Sequence, residues 1–305
     1  MASFESDRYD NSPVDPSAGE LSPQLAGFRQ LVLERGRELY RDLPWRRSRD
    51  PYEVWISEVM LQQTQVSRVD GRWQRWIERF PSVSALAAAE AAEVLDEWQG
   101  LGYNRRAMSV WRAAQQVMEQ GAVMPSEVGE LVKLPGIGPA TAAGIRAFAF
   151  NLPSVYLETN VRTVFLHELF PEVEGVPDKE LLPLVEACCP RDSHDPADDP
   201  RSWYFSLLDY GAWLKRSVPN PSRRSAGHTR QSRFEGSHRQ KRAMVVRALL
   251  ARGKEGVTAE DLERELTAFE LAAGREAVSL EDTRALLDEL MSEGFCTLSG
   301  NAWSI

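Results

Sequence analysis

LPGIGPATAAGIRAFAF, residues Leu134 to Phe150, puts a tight turn directly in front of an Ala-rich helix. Gly136 and Gly138 leave backbone N–H groups bare where that helix begins, and the helix dipole favours an anion there. Ser126 to Lys133 reads as a short helix before the turn, with Ser126 as its N-cap. Two helices joined in this way form a helix–hairpin–helix, a geometry that holds one DNA phosphate through main-chain donors without reading sequence. Carbonyls of the same turn, Leu134 to Gly138, suit a monovalent cation, Na+ or K+. An ordinary helix–helix corner is the plain alternative, but L-P-G-I-G between two such helices is a specific pattern.

Outward from the hairpin, helical signals dominate. Tyr52 to Phe80 carries apolar residues at helical spacing, including Val66, Val69, Trp73 and Trp76. Ala85 to Trp98 follows as an Ala-rich helix ending at Gly100, then Arg106 to Glu119. Beyond the hairpin, helices are expected over Thr159 to Leu169, Lys179 to Cys188 and Trp203 to Lys215. Asp192 to Pro200, DSHDPADDP, reads as an exposed acidic loop. From about Ser237 a second unit begins, with helices over Arg239 to Ala251, from Thr258, and over Leu280 to Ser292 capped by Ser279. Two short strands around Ser299–Gly300–Asn301 complete it. Three helices and a terminal hairpin suggest a small winged-helix-like domain, a type that binds DNA or mediates protein contacts. Its acidic composition favours the second role at least as much as the first.

At 305 residues, 43% hydrophobic and 27% charged, the chain suits two or three soluble domains with a real core. No apolar run reaches the roughly 18 residues a membrane span needs. The acidic, Pro/Ser-rich start lacks the basic-then-apolar order of a signal peptide and reads as a disordered leader, residues 1–23. Three cysteines, Cys188, Cys189 and Cys296, supply neither a disulfide framework nor a four-thiolate metal site, and a reducing cytoplasm is the expected home. The net charge of −9 argues at first against nucleic acid. Its distribution overturns that: between Lys215 and Arg242 stand nine cationic side chains, Arg223 and Arg224 among them, against Glu235 alone. Such a segment is a candidate phosphate-binding face, or else a solvated basic linker.

Two carboxylates carry the candidate chemistry. SEVMLQQTQ, Ser57 to Gln65, sets Glu58 among Trp55, Ile56, Val59, Met60 and Leu61, followed by the amides Gln62, Gln63 and Gln65. A carboxyl in apolar company can keep its proton at neutral pH, which is what a general acid needs. The amides suit a site that meets the hydrogen-bonding edges of bases. The bland alternative is a solvated Glu on the polar side of a helix. Further on, YLETNVRTV, Tyr156 to Val164, pairs Glu158 with Asn160 at the start of a helix.

Taken in order, LPWR (Leu43 to Arg46), SEVMLQQTQ, GLGY (Gly100 to Tyr103), LPGIG, ETNV (Glu158 to Val161) and LDYGA (Leu208 to Ala212) resemble the helix–hairpin–helix DNA glycosylase superfamily (HhH-GPD), in its adenine mismatch glycosylase (MutY-type) branch. The resemblance implies a mainly α, two-lobed fold over residues 24–236. One lobe is a six-helix barrel over about 52–150. The other is built from 24–51 plus 151–236, and the winged-helix-like domain occupies 237–305. It implies that Glu58 protonates the leaving base, that Glu158 stays ionised and stabilises an oxocarbenium-like sugar, and that Asn160 orients Glu58 or the attacking water. Gln63 and Tyr103 match residues that enter the base stack when a nucleotide is flipped out, with Gln62, Gln65, Arg46, Gly136, Gly138, Arg223 and Arg224 as further DNA contacts.

Four departures from the family pattern set further expectations. Glu158 stands where the family has Asp, moving the charge by about one bond length. Ala140 stands where strand-cleaving relatives carry a Schiff-base lysine, so no lyase activity is expected. Ser217 to Ser237 contains no cysteine where the family usually binds an iron–sulfur cluster, so no cluster is expected and Arg/Ser packing must order the loop. The tail is too short and differently patterned to be the domain that reads 8-oxoguanine. The expectation is a monomeric, cytoplasmic, nucleoid-associated glycosylase acting on double-stranded DNA, removing adenine opposite 8-oxoguanine or guanine. Removal of uracil, thymine opposite guanine or an alkylated purine, and a catalytically silent DNA binder, are the alternatives.

Overall fold

The computed structural model describes residues 21–191, 195–228 and 233–305. The expected leader up to residue 20, the acidic loop's first residues from Asp192, and Arg230 lie outside them. The described chain is mainly helical, as the periodicity predicts. In order it forms α1 (Pro23–Glu38), α2 (Pro51–Leu61), α3 (Val66–Val69), α4 (Arg72–Arg79), α5 (Val83–Ala88), α6 (Ala91–Glu97), α7 (Arg105–Glu119) and α8 (Val128–Leu131). Then come α9 (Pro139–Phe150), α10 (Thr159–Leu169), α11 (Asp178–Cys188), α12 (Pro200–Ser217), α13 (His238–Arg252), α14 (Ala259–Ala272) and α15 (Leu280–Ser292). The strands β1 (Thr297–Ser299) and β2 (Ala302–Ser304) end the chain. No described helix is long and apolar enough to cross a membrane.

Several elements differ from the sequence reading, each for a local reason. The apolar period over Tyr52 to Phe80 is not one helix. The chain leaves α2 at Gln62, turns through Gln63 in the left-handed region (φ 51°), and turns again at Gly71 (φ 78°). Ala85 to Trp98 divides at extended Ala89, because Glu90 starts a fresh helix as a capping box with Glu93. Ser126 is not an N-cap: the short helix starts at Val128 behind Glu127, and the Ser126 carbonyl accepts Arg146 Nη1 instead (2.8 Å). Helix α1, which periodicity did not reveal, begins at Ser22–Pro23, where the serine hydroxyl accepts the Leu25 N–H (3.3 Å).

The chain divides into two compact units. One runs to Arg41 and resumes over Asn151–His228; the other is Asp42–Phe150 with the chain after His228. In the first, α12 packs on both α1 and α10, and Phe28 meets Phe165 and Trp203 edge-on at 4.8 and 6.2 Å. In the second, α2 lies against α9 and α7 against α5, around buried Trp55, Trp76, Trp98 and Phe80. Residues of the tail, including Val245, Leu249, Leu287 and Phe295, belong to the same apolar core as those tryptophans. Helices α13–α15 are followed by the β1–β2 ribbon, paired Leu298 to Trp303.

Candidate active site

In the first unit the site is built on the N-terminus of α10. Glu158 is its N-cap: one carboxylate oxygen accepts the N–H groups of Asn160 (2.6 Å) and Val161 (3.1 Å). A negative group at that position meets both the unpaired amides and the positive end of the helix dipole. Lys215, from α12, donates to Asn160 Oδ1 at 3.0 Å. Burial pushes the Glu158 carboxyl above its ordinary value of 4.5; the Val161 and Asn160 amides, then Lys215 and Arg162, pull it back. The partner expected to be plainly ionised is therefore a half-buried carboxylate whose charge burial penalises and four named donors and cations only partly restore.

Gly211 of LDYGA explains how α12 comes so close. A Cβ there would be driven into the Asn160 carbonyl and side chain. Asp209, two residues earlier and buried, accepts the backbone N–H (3.1 Å) and Nε (2.5 Å) of Arg41. The sequence reading places Lys215 in the basic segment and not at this site, though a signal existed: it lies four residues after Gly211, on the same helical face.

In the second unit, Glu58 is half-buried on α2, between buried Trp55, Ile56, Val59 and Met60. The end of that helix is organised by Arg106, which the sequence reading did not single out. Its guanidinium donates to the carbonyls of Val59 (2.8 Å), Met60 (3.2 Å), Gln62 (2.7 Å), Leu101 (3.1 Å) and Gly102 (3.0 Å), and to Thr64 Oγ1 (3.2 Å). It also stacks 5.2 Å from Trp98 and 5.6 Å from Tyr103. Burial lowers its pKa to about 10, which leaves it cationic at neutral pH. This one cation thus binds the SEVMLQQTQ turn to the GLGY loop.

Both expected stack-entering residues sit in that clamp in the left-handed region, Gln63 at φ 51° and Tyr103 at φ 50°, and both are exposed. Side chains other than glycine rarely adopt this conformation, and it costs about 1–3 kcal/mol where it persists. The hairpin follows the expected outline: Gly136 turns at φ 76° against Ser109, while Gly138 and Ala140 are exposed at the start of α9. Gln62 Nε2 donates to Thr141 Oγ1 (2.9 Å), joining α2 to the hairpin helix.

Three residues expected at DNA have burial or partners inside the fold. Gln62 is held by Thr141, and Arg46 is buried. Arg224 donates to the carbonyls of Leu166 (2.8 Å), Phe170 and Pro171, closing the C-terminus of α10. Gln65 and Arg223 are exposed. The cysteine-free loop is tied by this arginine, by buried Ser222 and Ser225, and by the Val176–Ser225 bridge. Of the three cysteines, Cys188 and Cys189 lie buried at the C-terminal end of α11, and Cys296 lies buried in the other unit.

A mainly helical fold, a glycine hairpin opening onto a helix N-terminus, and a capped carboxylate beside an amide define a helix–hairpin–helix repair domain. The chain belongs to the HhH-GPD superfamily of base excision DNA repair proteins, whose pattern it matches over residues 56–221. It is 40% identical to the adenine DNA glycosylase of Mycolicibacterium smegmatis over 174 residues, 56% of this chain and 58% of that protein. It is 38% identical to that of Homo sapiens over 151 residues, 46% of this chain and 28% of the relative. The chain spans about half the length, or less, of the curated relatives it matches. A thermostable thymine-DNA glycosylase shares the fold with a TM-score of 0.55 at 22% identity, covering 62% of this chain and 86% of that one. A trapped endonuclease III–DNA covalent intermediate does so at 0.51 and 17%, covering 72% and 94%.

Proposed function

We propose that this protein is a monofunctional DNA glycosylase that excises adenine opposite 8-oxoguanine or guanine. The observation that carries the reading is the identity of about 40% to an adenine DNA glycosylase, beside a family match over residues 56–221 that holds both carboxylates. In this reading Glu58 protonates the departing base. Glu158, capped by two amides and faced by Lys215, stabilises positive charge on the sugar. Asn160, fixed by Lys215, orients the attacking water. Exposed Ala140 offers no amine for a Schiff base, so the backbone is left uncut.

The test is single-turnover excision on duplexes carrying A·8-oxoG, A·G, U·G, T·G, hypoxanthine or an alkylated base, with and without alkali. Release of adenine, strand breaks only after alkali, and a silent Glu58→Gln protein that still binds DNA are expected. Excision of another base in preference to adenine would refute the substrate, and breaks without alkali would refute the monofunctional mechanism.

A further inference from the structure

The basic segment from Lys215 to Arg242 reads from sequence as a phosphate-binding face or a linker, yet Arg239, in the first turn of α13, does something more specific. Its Nη1 donates to the Tyr103 hydroxyl at 2.5 Å, and its guanidinium lies 5.5 Å from the centre of the Tyr103 ring. Arg106 lies 5.6 Å from the same ring. Phe234, exposed like Tyr103, sits 6.0 Å from the Arg239 guanidinium. The result is an exposed aromatic–guanidinium stack made by the GLGY loop and the tail segment together.

The tail is also fixed to the residues that follow Tyr103. Glu293, at the end of α15, accepts Arg105 Nε (2.7 Å) and Arg242 Nη2 (2.7 Å), and its carbonyl accepts Arg112. Glu289, one turn earlier, bonds Arg242 (2.7 Å) and His238 (3.0 Å). Arg105 and Arg112 belong to α7, whose first residue is two positions after Tyr103. A tail that merely trailed from the domain would need no such attachment at the base of this loop.

We propose that the C-terminal helices are a buttress for the DNA-probing loop, with Arg239 as a positioning residue that holds Tyr103 in its left-handed, exposed conformation. This rests on the reading of Tyr103 as the side chain that enters the base stack. A left-handed tyrosine is strained, and a strained residue persists only where its surroundings over-determine it. Arg106 supplies the fold's own share of that constraint. Arg239 supplies the share that comes from the tail, through a bond and a ring contact that lysine cannot reproduce together.

The experiment uses the full chain and a duplex with 2-aminopurine beside the target adenine, whose fluorescence rises when the base unstacks. Arg239→Ala should lower the unstacking amplitude and the single-turnover rate about tenfold, the scale of one charge-assisted hydrogen bond. Binding to undamaged DNA should fall less than threefold, and the melting temperature should stay close to native. Arg239→Lys should remain impaired, and Tyr103→Phe should be partly impaired and non-additive with Arg239→Ala in a double-mutant cycle. Full rescue by Arg239→Lys, with only the salt slope of binding changed, would overturn the proposal in favour of a phosphate contact. A native unstacking signal in Arg239→Ala alongside a lost one in Tyr103→Ala would refute the buttress alone. A native signal in Tyr103→Ala would remove the reading of Tyr103 on which it rests.

Discussion

Replacing Arg106 by methionine keeps an unbranched apolar stem against Trp98 and removes the guanidinium. Five backbone carbonyls, those of Val59, Met60, Gln62, Leu101 and Gly102, then lose a donor at once, though Val59, Gln62 and Gly102 keep a second one. Hydrogen bonds to a charged group contribute about 1.5–3 kcal/mol each, but these share one cation and do not add. The relevant scale is that of leaving buried neutral acceptors short of a donor, about 1–3 kcal/mol each and not additive, so about 3–5 kcal/mol in all. For a domain of this size that corresponds to a fall of roughly 6–20 °C in melting temperature. The clamp also offsets the left-handed strain at Gln63 and Tyr103, so the loss should reach function before it reaches unfolding. At a temperature where the variant is still folded, single-turnover excision should drop about a hundredfold, as expected when positioned groups shift by about 1 Å. Arg106→Lys restores the charge without the planar fork and should recover only part of either quantity. Scanning calorimetry with quench-flow kinetics measures both. An Arg106→Met protein that melts within about 2 °C of wild type and excises at the native rate would refute the argument that this cation holds the two loops together.

Glu158 separates capping from charge. Glu158→Ala loses the cap and should cost about 0.5–2 kcal/mol, whereas Glu158→Gln keeps an acceptor for the Asn160 and Val161 amides. Because burial raises this carboxyl in the folded state, its charged form is penalised there. Wild-type stability should therefore fall as pH rises from the ordinary value of 4.5 through the raised one, then level off. Glu158→Gln should lack that fall and be the more stable protein above the window while inactive throughout it; urea titrations at several pH values would expose the opposite trend. If excision needs Glu158 ionised, the wild-type rate should show an acid limb above 4.5, and a rate flat down to that pH would count against the role. Gly211→Ala should force α12 away from Asn160 at about 3 kcal/mol or more, and breaking the Lys215–Asn160 bond should lower the rate further than stability alone explains. Native kinetics in Gly211→Ala would show that the close approach is not needed.

The parts legible in the sequence are those set by neighbours along the chain. Helix α10 begins and ends where Glu158 and Leu169 predict, because a cap and an apolar period are local signals. The glycine turn at Leu134 to Gly138 is equally local, since Gly136 must adopt a positive φ whatever surrounds it. What could not be read is the use to which long side chains are put. Arg46, Arg224 and Arg239 carry the same charge and all looked like phosphate ligands. One is buried, one closes a helix C-terminus, and one binds a tyrosine 136 positions away. A guanidinium with five donors takes whichever carbonyls or rings the fold brings within reach, so its role is decided by tertiary placement and not by the run of charge around it. The exception shows what would have helped. Lys215 was recoverable because Gly211 names a face of α12, and residues four apart share that face. A close-packing glycine therefore does more than mark a contact: it gives direction to its helix, and through that direction it points to the polar group beside the site.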